Sequence, residues 1–187
     1  MVKKLTMWSF LEPFLYSQEY LHLADISKRL VKPHTTVRQY LNYFEKQGIL
    51  IKIMKGRLTL YKLNFNNPLI LQYIFLIEKE TLLNKCERSL ILRELVSFLT
   101  GNLNENNKAL IFGSAAENLK KANDIDLLII GNINFQNKVK DFENNFNVKI
   151  HLINVEDLKK ITNTLKQEIK KKHLIIKGTE EIIRWLT

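Results

Sequence analysis

Cysteine, proline and glycine are scarce in this 187-residue sequence: one, three and six residues respectively. A single cysteine, Cys86, excludes a disulfide framework, and it has no neighbours at zinc-ligand spacing, so a reducing cytoplasm is the expected compartment. Few glycines and prolines beside 45% apolar residues exclude a linker-like or disordered chain and point to a folded globular one. No run of about eighteen apolar residues occurs, so no membrane span is expected. The opening MVKKLTMWSFLEPFL has lysines ahead of an apolar stretch, but Glu12 and Pro13 interrupt it and no small-residue cleavage site follows. It is therefore expected to be a first helix, Leu5 to Tyr16, kinked or split near Pro13. Acidic residues are also in short supply: 19 against 29 Lys and Arg, a net charge of +10 that suggests an anionic partner.

What is present begins with periodicity. LADISKRL (23–30) places Leu23, Ile26 and Leu30 at helical spacing. After the tight connection VKPH, TTVRQYLNYFEKQG (35–48) puts Val37, Tyr40, Leu41 and Phe44 on one face, with Gly48 as the stop. Its other face carries Thr35, Thr36, Arg38, Gln39, Asn42 and Lys46. ILIKIM and RLTLYKL both alternate and flank Lys55-Gly56, which predicts a hairpin turning there. Residues 1–66 hold eleven Lys/Arg against four Asp/Glu.

In the middle, Asn67 and Pro68 predict a helix start, and the segments 68–85 and 86–101 read as two helices or one bent helix with wide apolar faces. Such faces must bury something: the hairpin side, the next domain or a second subunit. GNLNENN (101–107) is the clearest loop. Beyond it KALIFG, NDIDLLIIG and NVKIHLI read as strands, separated by helices from Ser114 and from Phe135. NVEDLKKITNTLKQEIKKK gives one or two helices, with Asn154 and Asp157 as a capping signal, and an extended piece and a helix close the chain. The expected class is α+β, close to α/β, in three parts: 1–66, a helical linker 67–100, and 101–187.

Two carboxylates interrupt one of these apolar runs. Asp124 and Asp126 flank Ile125, and within a strand they would share a face, roughly 7 Å apart between Cα atoms. Like charges so placed become favourable around a divalent cation, and oxygen donors suit Mg²⁺ or Mn²⁺ with nucleotide phosphates completing the shell. Gly113 at a strand end lets a phosphate approach the backbone, and Ser114 with the following amides can donate to it.

The order helix, helix, turn, helix, basic hairpin resembles the archaeal and bacterial winged helix-turn-helix family over residues 1–64. The resemblance implies a recognition helix in the major groove, with Thr35, Thr36, Arg38, Gln39 and Asn42 facing bases and Lys52, Lys55 and Arg57 on a wing that touches duplex DNA. Gly113, Ser114, Asp124 and Asp126 resemble the signature of the polymerase-beta-type nucleotidyltransferase superfamily, and the likeness extends over residues 86–187. Together the two parts look like an archaeal two-domain winged-helix nucleotidyltransferase. The resemblance implies transfer from a nucleoside triphosphate, with Asp124 and Asp126 as metal ligands and catalytic residues and Gly113 and Ser114 on phosphate; Lys120 and Lys121 can meet phosphate in place of the family's basic residue or be simply solvated. Minimal members of this superfamily act beside a helical toxin, so such a protein partner is implied as well, and a homodimer is open.

The sequence departs from the family pattern in two places. GSAAEN sets Glu117 where a basic residue is usual and Asn118 where glycine is usual. The third carboxylate, expected on the next strand, falls on His151, with Glu156 and Asp157 just beyond. His151 can serve as a base toward the acceptor or as an ordinary strand residue. The chain therefore reads as a nucleotidyltransferase fused to a DNA-binding domain, or as a DNA-binding regulator whose degenerate transferase domain only binds nucleotide or dimerises.

Overall fold

The computed structural model describes residues 6–17 and 19–187. It divides into two compact units, the first ending at Ile77 and the second comprising Glu78–Thr187. Among the described residues no helix is long and apolar enough to cross a membrane.

The first unit opens with a 3-10 helix, Met7–Phe14, that contains Pro13. The expected helix from Leu5 is thus a tighter one, and Leu5 itself lies outside the described residues. Its Phe10 stacks on Tyr40, with ring centroids 4.0 Å apart. A two-residue strand β1 (Leu21–His22) leads into α1 (Leu23–Leu30), whose buried Leu23 and Ile26 are those the spacing singled out. Helix α1 ends at Val31, an exposed β-branched residue held in the left-handed region (φ 54°, ψ 48°), a costly conformation for its type. Pro33 precedes α2 (His34–Lys46), which buries Val37, Leu41 and Phe44. Gly48 (φ 67°) closes α2: its N–H donates to Glu45 O and that of Ile49 to Phe44 O, satisfying two terminal carbonyls.

Strands β2 (Leu50–Lys55) and β3 (Leu58–Leu63) form the hairpin. Lys55 pairs with Leu58, so the two-residue turn is Gly56-Arg57 rather than Lys55-Gly56. Gly56 (φ 61°) takes the first turn position, where a two-residue hairpin requires positive φ. The sheet order is β1-β3-β2, antiparallel throughout.

Helix α3 (Ile70–Cys86) begins two residues later than Pro68 because Asn67 Oδ1 first accepts from Leu69 N in a turn. Helix α4 (Leu90–Asn102) is separate, with Ser89 capping Leu92 N. In the second unit follow β4 (Lys108–Phe112), α5 (Gly113–Glu117), β5 (Ile125–Ile130), α6 (Gln136–Phe146), β6 (Ile150–Val155), α7 (Asn163–Lys171), β7 (His173–Lys177) and α8 (Thr179–Leu186). A short 3-10 turn, Leu158–Lys160, precedes α7. Asp157 caps that turn, but Asn154 lies within β6 and donates to Ile133 O instead of pairing with it.

The four-stranded sheet runs β6-β5-β4-β7, with only β5 and β6 parallel. On one face Ala109, Ile111, Leu127, Ile129, Leu174 and Ile176 join Leu92, Leu95 and Leu99 of α4 and Val139 and Phe142 of α6 in a single core. The alternate residues Leu110, Leu128, Ile130 and Ile175 are buried too. Burial on both faces explains why IDLLII reads as a continuous apolar run rather than an alternation. The fold is α+β, as the order of elements implied.

Candidate active site and candidate nucleic-acid face

Asp126 is the second residue of β5, at the end where the strand leaves its core. In the sheet it lies between Phe112 of β4 and His151 of β6, directly in register with both. Residues in register project to the same face, so Asp126 and His151 meet: Oδ1 stands 3.1 Å from Nδ1. The Asp126 side chain is 25% exposed and that of His151 63%. Gly113, one step past Phe112, has φ 68°, and a Cβ on it would lie 2.8 Å from Asp126 Oδ2. The glycine is thus required twice, for its backbone angle and for the space beside the carboxylate.

Asp124 lies two residues ahead of Asp126 in the chain. Strand β5 begins at Ile125, so Asp124 sits in the preceding bend and is exposed. Asp124 lines an open cleft of about 540 Å³ with Leu119, Ala122, Asn123, Asn147, Lys149 and others of the second unit; Gly113, Ser114, Asp126 and His151 do not line it. Among the described residues, no group of three or more His, Cys, Asp and Glu is placed to hold a metal ion.

Ser114 is exposed on α5, a single turn whose backbone begins at Gly113. Lys120 and Lys121 are exposed in the turn after it, the N–H of Lys120 bound by Asn118 Oδ1 at 3.2 Å. Glu156 and Asp157 are exposed beyond β6, and Glu156 pairs with Lys160.

Two lysines that sequence reasoning did not single out complete the α5 region. Lys85 Nζ donates to Ala116 O (2.5 Å) and Glu117 O (2.9 Å), satisfying carbonyls at the end of that helix. Lys172 pairs with the Glu117 side chain, and its hydrogen bond and charge hold that carboxyl below the usual glutamate range. Glu117, standing where a basic residue was expected, thus carries its own cation. Nothing in the sequence marks these partners, which lie 32 and 55 residues away. Across the same sheet His173 is in register with Phe112, and it meets Glu78 in a buried pair, Nε2 to Oε1 3.4 Å.

In the first unit, Thr35, Arg38 and Gln39 are exposed on α2, and Thr36 and Asn42 are half-buried. Lys52, Lys55 and Arg57 are exposed on the hairpin. Asn42 differs from its neighbours: its Oδ1 accepts from Lys52 Nζ (3.3 Å) and Tyr61 OH (3.4 Å), tying α2 to the sheet. Burial pushes the Tyr61 hydroxyl pKa up, partly offset by Arg38.

A nucleotidyltransferase-domain model matches residues 91–185. The chain belongs to the nucleotidyltransferase-domain family. The matched segment holds Gly113, Ser114, Asp124, Asp126 and His151. No curated protein matches the chain. Among solved structures, a mutant of the toxin–antitoxin pair MntA–HpeT aligns at 15% identity, over 50% of this chain and 78% of that one, with a TM-score of 0.40. TrmBL2, described as an archaeal chromatin protein with a novel mode of DNA binding, aligns at 14% identity over 89% of this chain and 71% of its own, with a TM-score of 0.29. Both superpositions are too loose to transfer the role of any residue.

Proposed function

We propose that the second unit transfers a nucleotidyl group from a nucleoside triphosphate to an acceptor hydroxyl, and that the first is a winged helix that binds duplex DNA. The observation that carries the first proposal is the meeting of Gly113, Asp126 and His151 at one end of the sheet.

The residues fit a divalent cation at Asp126. Gly113 leaves open, beside Oδ2, the space that a Cβ would fill, and a carboxylate one-quarter exposed is a hard oxygen donor suited to Mg²⁺ or Mn²⁺. Asp126 would hold the ion, with Asp124 reaching it from the preceding bend. Bound there, such an ion neutralises charge on the triphosphate.

The chain's own groups supply the rest. Ser114, exposed at the start of α5, would donate its hydroxyl to phosphate oxygens, while the Gly113 N–H is already held by Lys172 O at 3.2 Å. His151 donates Nδ1–H to Asp126, which leaves Nε2 as the acceptor in the neutral ring. Nε2 takes the proton of the acceptor hydroxyl as its oxygen bonds to the α-phosphorus. The bond from that phosphorus to the β-bridging oxygen breaks, and pyrophosphate leaves. Lys120 and Lys121, exposed in the turn after α5, would meet the departing charge.

The first unit supports duplex binding by the exposed Thr35, Arg38 and Gln39 on α2 beside a hairpin tip bearing Lys55 and Arg57. Arg and Gln offer the donor and acceptor pairs that read guanine and adenine edges, and the lysines neutralise phosphates. A second reading, a nucleotide-sensing regulator without transfer, is favoured by one observation: His151, not a carboxylate, stands in register with Asp126 on the neighbouring strand.

The deciding experiment incubates the protein with α-labelled nucleoside triphosphates, Mg²⁺ or Mn²⁺, and candidate protein and nucleic-acid acceptors, a helical toxin-type partner included. Covalent label that disappears with Asp126→Asn and His151→Ala, with nucleotide affinity kept in the histidine variant, supports transfer. Nucleotide binding without label on any acceptor supports the regulator.

A further inference from the structure

Val31 stands where the backbone calls for glycine. It ends α1 with φ 54° and ψ 48°, and two hydrogen bonds hold it there: its own N–H donates to Lys28 O (3.3 Å) and that of Lys32 to Ser27 O (3.1 Å). Helix α2 ends in the same pair of bonds and carries Gly48 (φ 67°) at the matching position. Glycine suits that position because it has no Cβ to crowd the left-handed backbone, and a β-branched residue suits it least. Packing does not compensate, since Val31 is 85% exposed. A strained residue whose side chain gains nothing inside the chain points to a contact outside it.

The surroundings say what that contact is. Residues 26–44 hold Lys28, Arg29, Lys32 and Arg38 and no carboxylate. Lys28, Arg29 and His34 are exposed around Val31, so an apolar side chain sits among cations. Such a mixture fits a polyanion with apolar groups on its surface. Val31 also lies three residues ahead of α2, whose exposed Thr35, Arg38 and Gln39 offer hydrogen bonds to base edges. In the major groove of duplex DNA the apolar group within reach of a protein is the 5-methyl of thymine.

We propose that Val31 is a specificity-determining residue for duplex DNA, its isopropyl group packing on the 5-methyl group of a thymine beside the base pairs that α2 reads. The proposal rests on the duplex-binding reading of the first unit, and adds to it an apolar contact from the turn ahead of α2.

Fluorescence anisotropy on the full chain tests it. The duplex preferred by the parent protein is selected from a random-sequence pool, then remade with each thymidine in turn replaced by deoxyuridine, which lacks only the 5-methyl group. One replacement should weaken binding by about fourfold, the effect of uncovering one methyl group. Val31→Gly should weaken binding to the thymine duplex by at least as much and be indifferent to that same replacement. Its melting temperature should hold or rise, because the strain is relieved. A parent protein that binds no duplex at low salt overturns the duplex reading and this proposal together. Duplex binding that Val31→Gly leaves unchanged overturns this proposal alone, and leaves the side chain to a protein or lipid partner. So does a Val31→Gly variant that still responds to the same deoxyuridine. A variant that loses melting temperature together with affinity would make Val31 part of the fold and overturn the proposal as well.

Discussion

The α2 face and the Asp126 centre are both polar patches on apolar frames, but they are assembled in opposite ways. The first comes from one contiguous stretch, His34–Leu63, whose helix period and hairpin register decide which side chains face out. The second joins Gly113, Asp126 and His151, from three elements, and exists only because Phe112, Asp126 and His151 share one row of the sheet. A patch made by period spreads its effect over many side chains, each contributing a little. A patch made by register converges on a few atoms, so moving one of them should remove the function at once.

The comparison breaks most sharply on β5, where neighbours face opposite ways. Leu127 is fully buried in the core shared with α4 and α6. Leu127→Ala should cost about 2–5 kcal/mol in denaturant unfolding of the second unit, whereas Asp126→Asn beside it should cost little stability and remove divalent-cation-dependent nucleotide binding in calorimetry. Equal stability losses at both positions would make Asp126 a structural residue. Gly113→Ala comes next. Forcing an L residue into the left-handed region costs about 1–2 kcal/mol, and the new Cβ must push aside Asp126 Oδ2. The expected outcome is a modest drop in melting temperature with a large loss of nucleotide affinity.

The same contrast governs what the sequence made legible. Helices α1 and α2, with buried Ile26, Val37, Leu41 and Phe44, follow from spacing alone, since short-range periodicity is written in neighbouring residues. The hairpin was legible apart from its turn, which slipped by one residue to place Gly56 where positive φ is needed. The pairing of β5 with β6 could be inferred from their order, and it sets His151 beside Asp126. The start of β5 could not: Asp124-Ile125-Asp126 alternates like a strand, yet pairing begins at Ile125, whose N–H donates to Lys149 O just ahead of β6. The anchoring of α5 by Lys85 and Lys172 was equally hidden, because long flexible lysines leave no periodic trace and find their partners only in the folded chain.

The distributed character of the α2 face yields a smaller and graded effect. Lys55 and Arg57 flank Gly56 at the hairpin tip and are exposed. Replacing both with alanine should weaken duplex binding alike for all sequences and flatten the slope of log K against log salt by at most about 1.8. Arg38→Ala and Gln39→Ala, in contrast, should change which sequences are preferred. Fluorescence anisotropy over a salt series separates the two. A first unit that leaves duplex DNA unbound at low salt removes the comparison's nucleic-acid half.

The smallest effect belongs to the Glu117–Lys172 pair, and its sign follows from the direction of one pKa. Lys172 donates to the Glu117 carboxylate and holds its folded pKa below that of the unfolded chain. A depressed carboxyl binds protons less readily when folded, so the pair stabilises the fold above the unfolded pKa and ceases to as pH falls through the folded one. Lys172→Met should therefore lower the melting temperature slightly near neutrality, and the gap to the parent protein should close in acid, below roughly pH 4. Both side chains are more than half exposed, so salt should narrow the gap as well. A gap unchanged from neutral pH into acid would mean that the methionine acts through packing at α5, beside Gly113, rather than through charge. In that case the loss should also appear as weaker nucleotide binding, which a purely electrostatic surface pair would leave untouched.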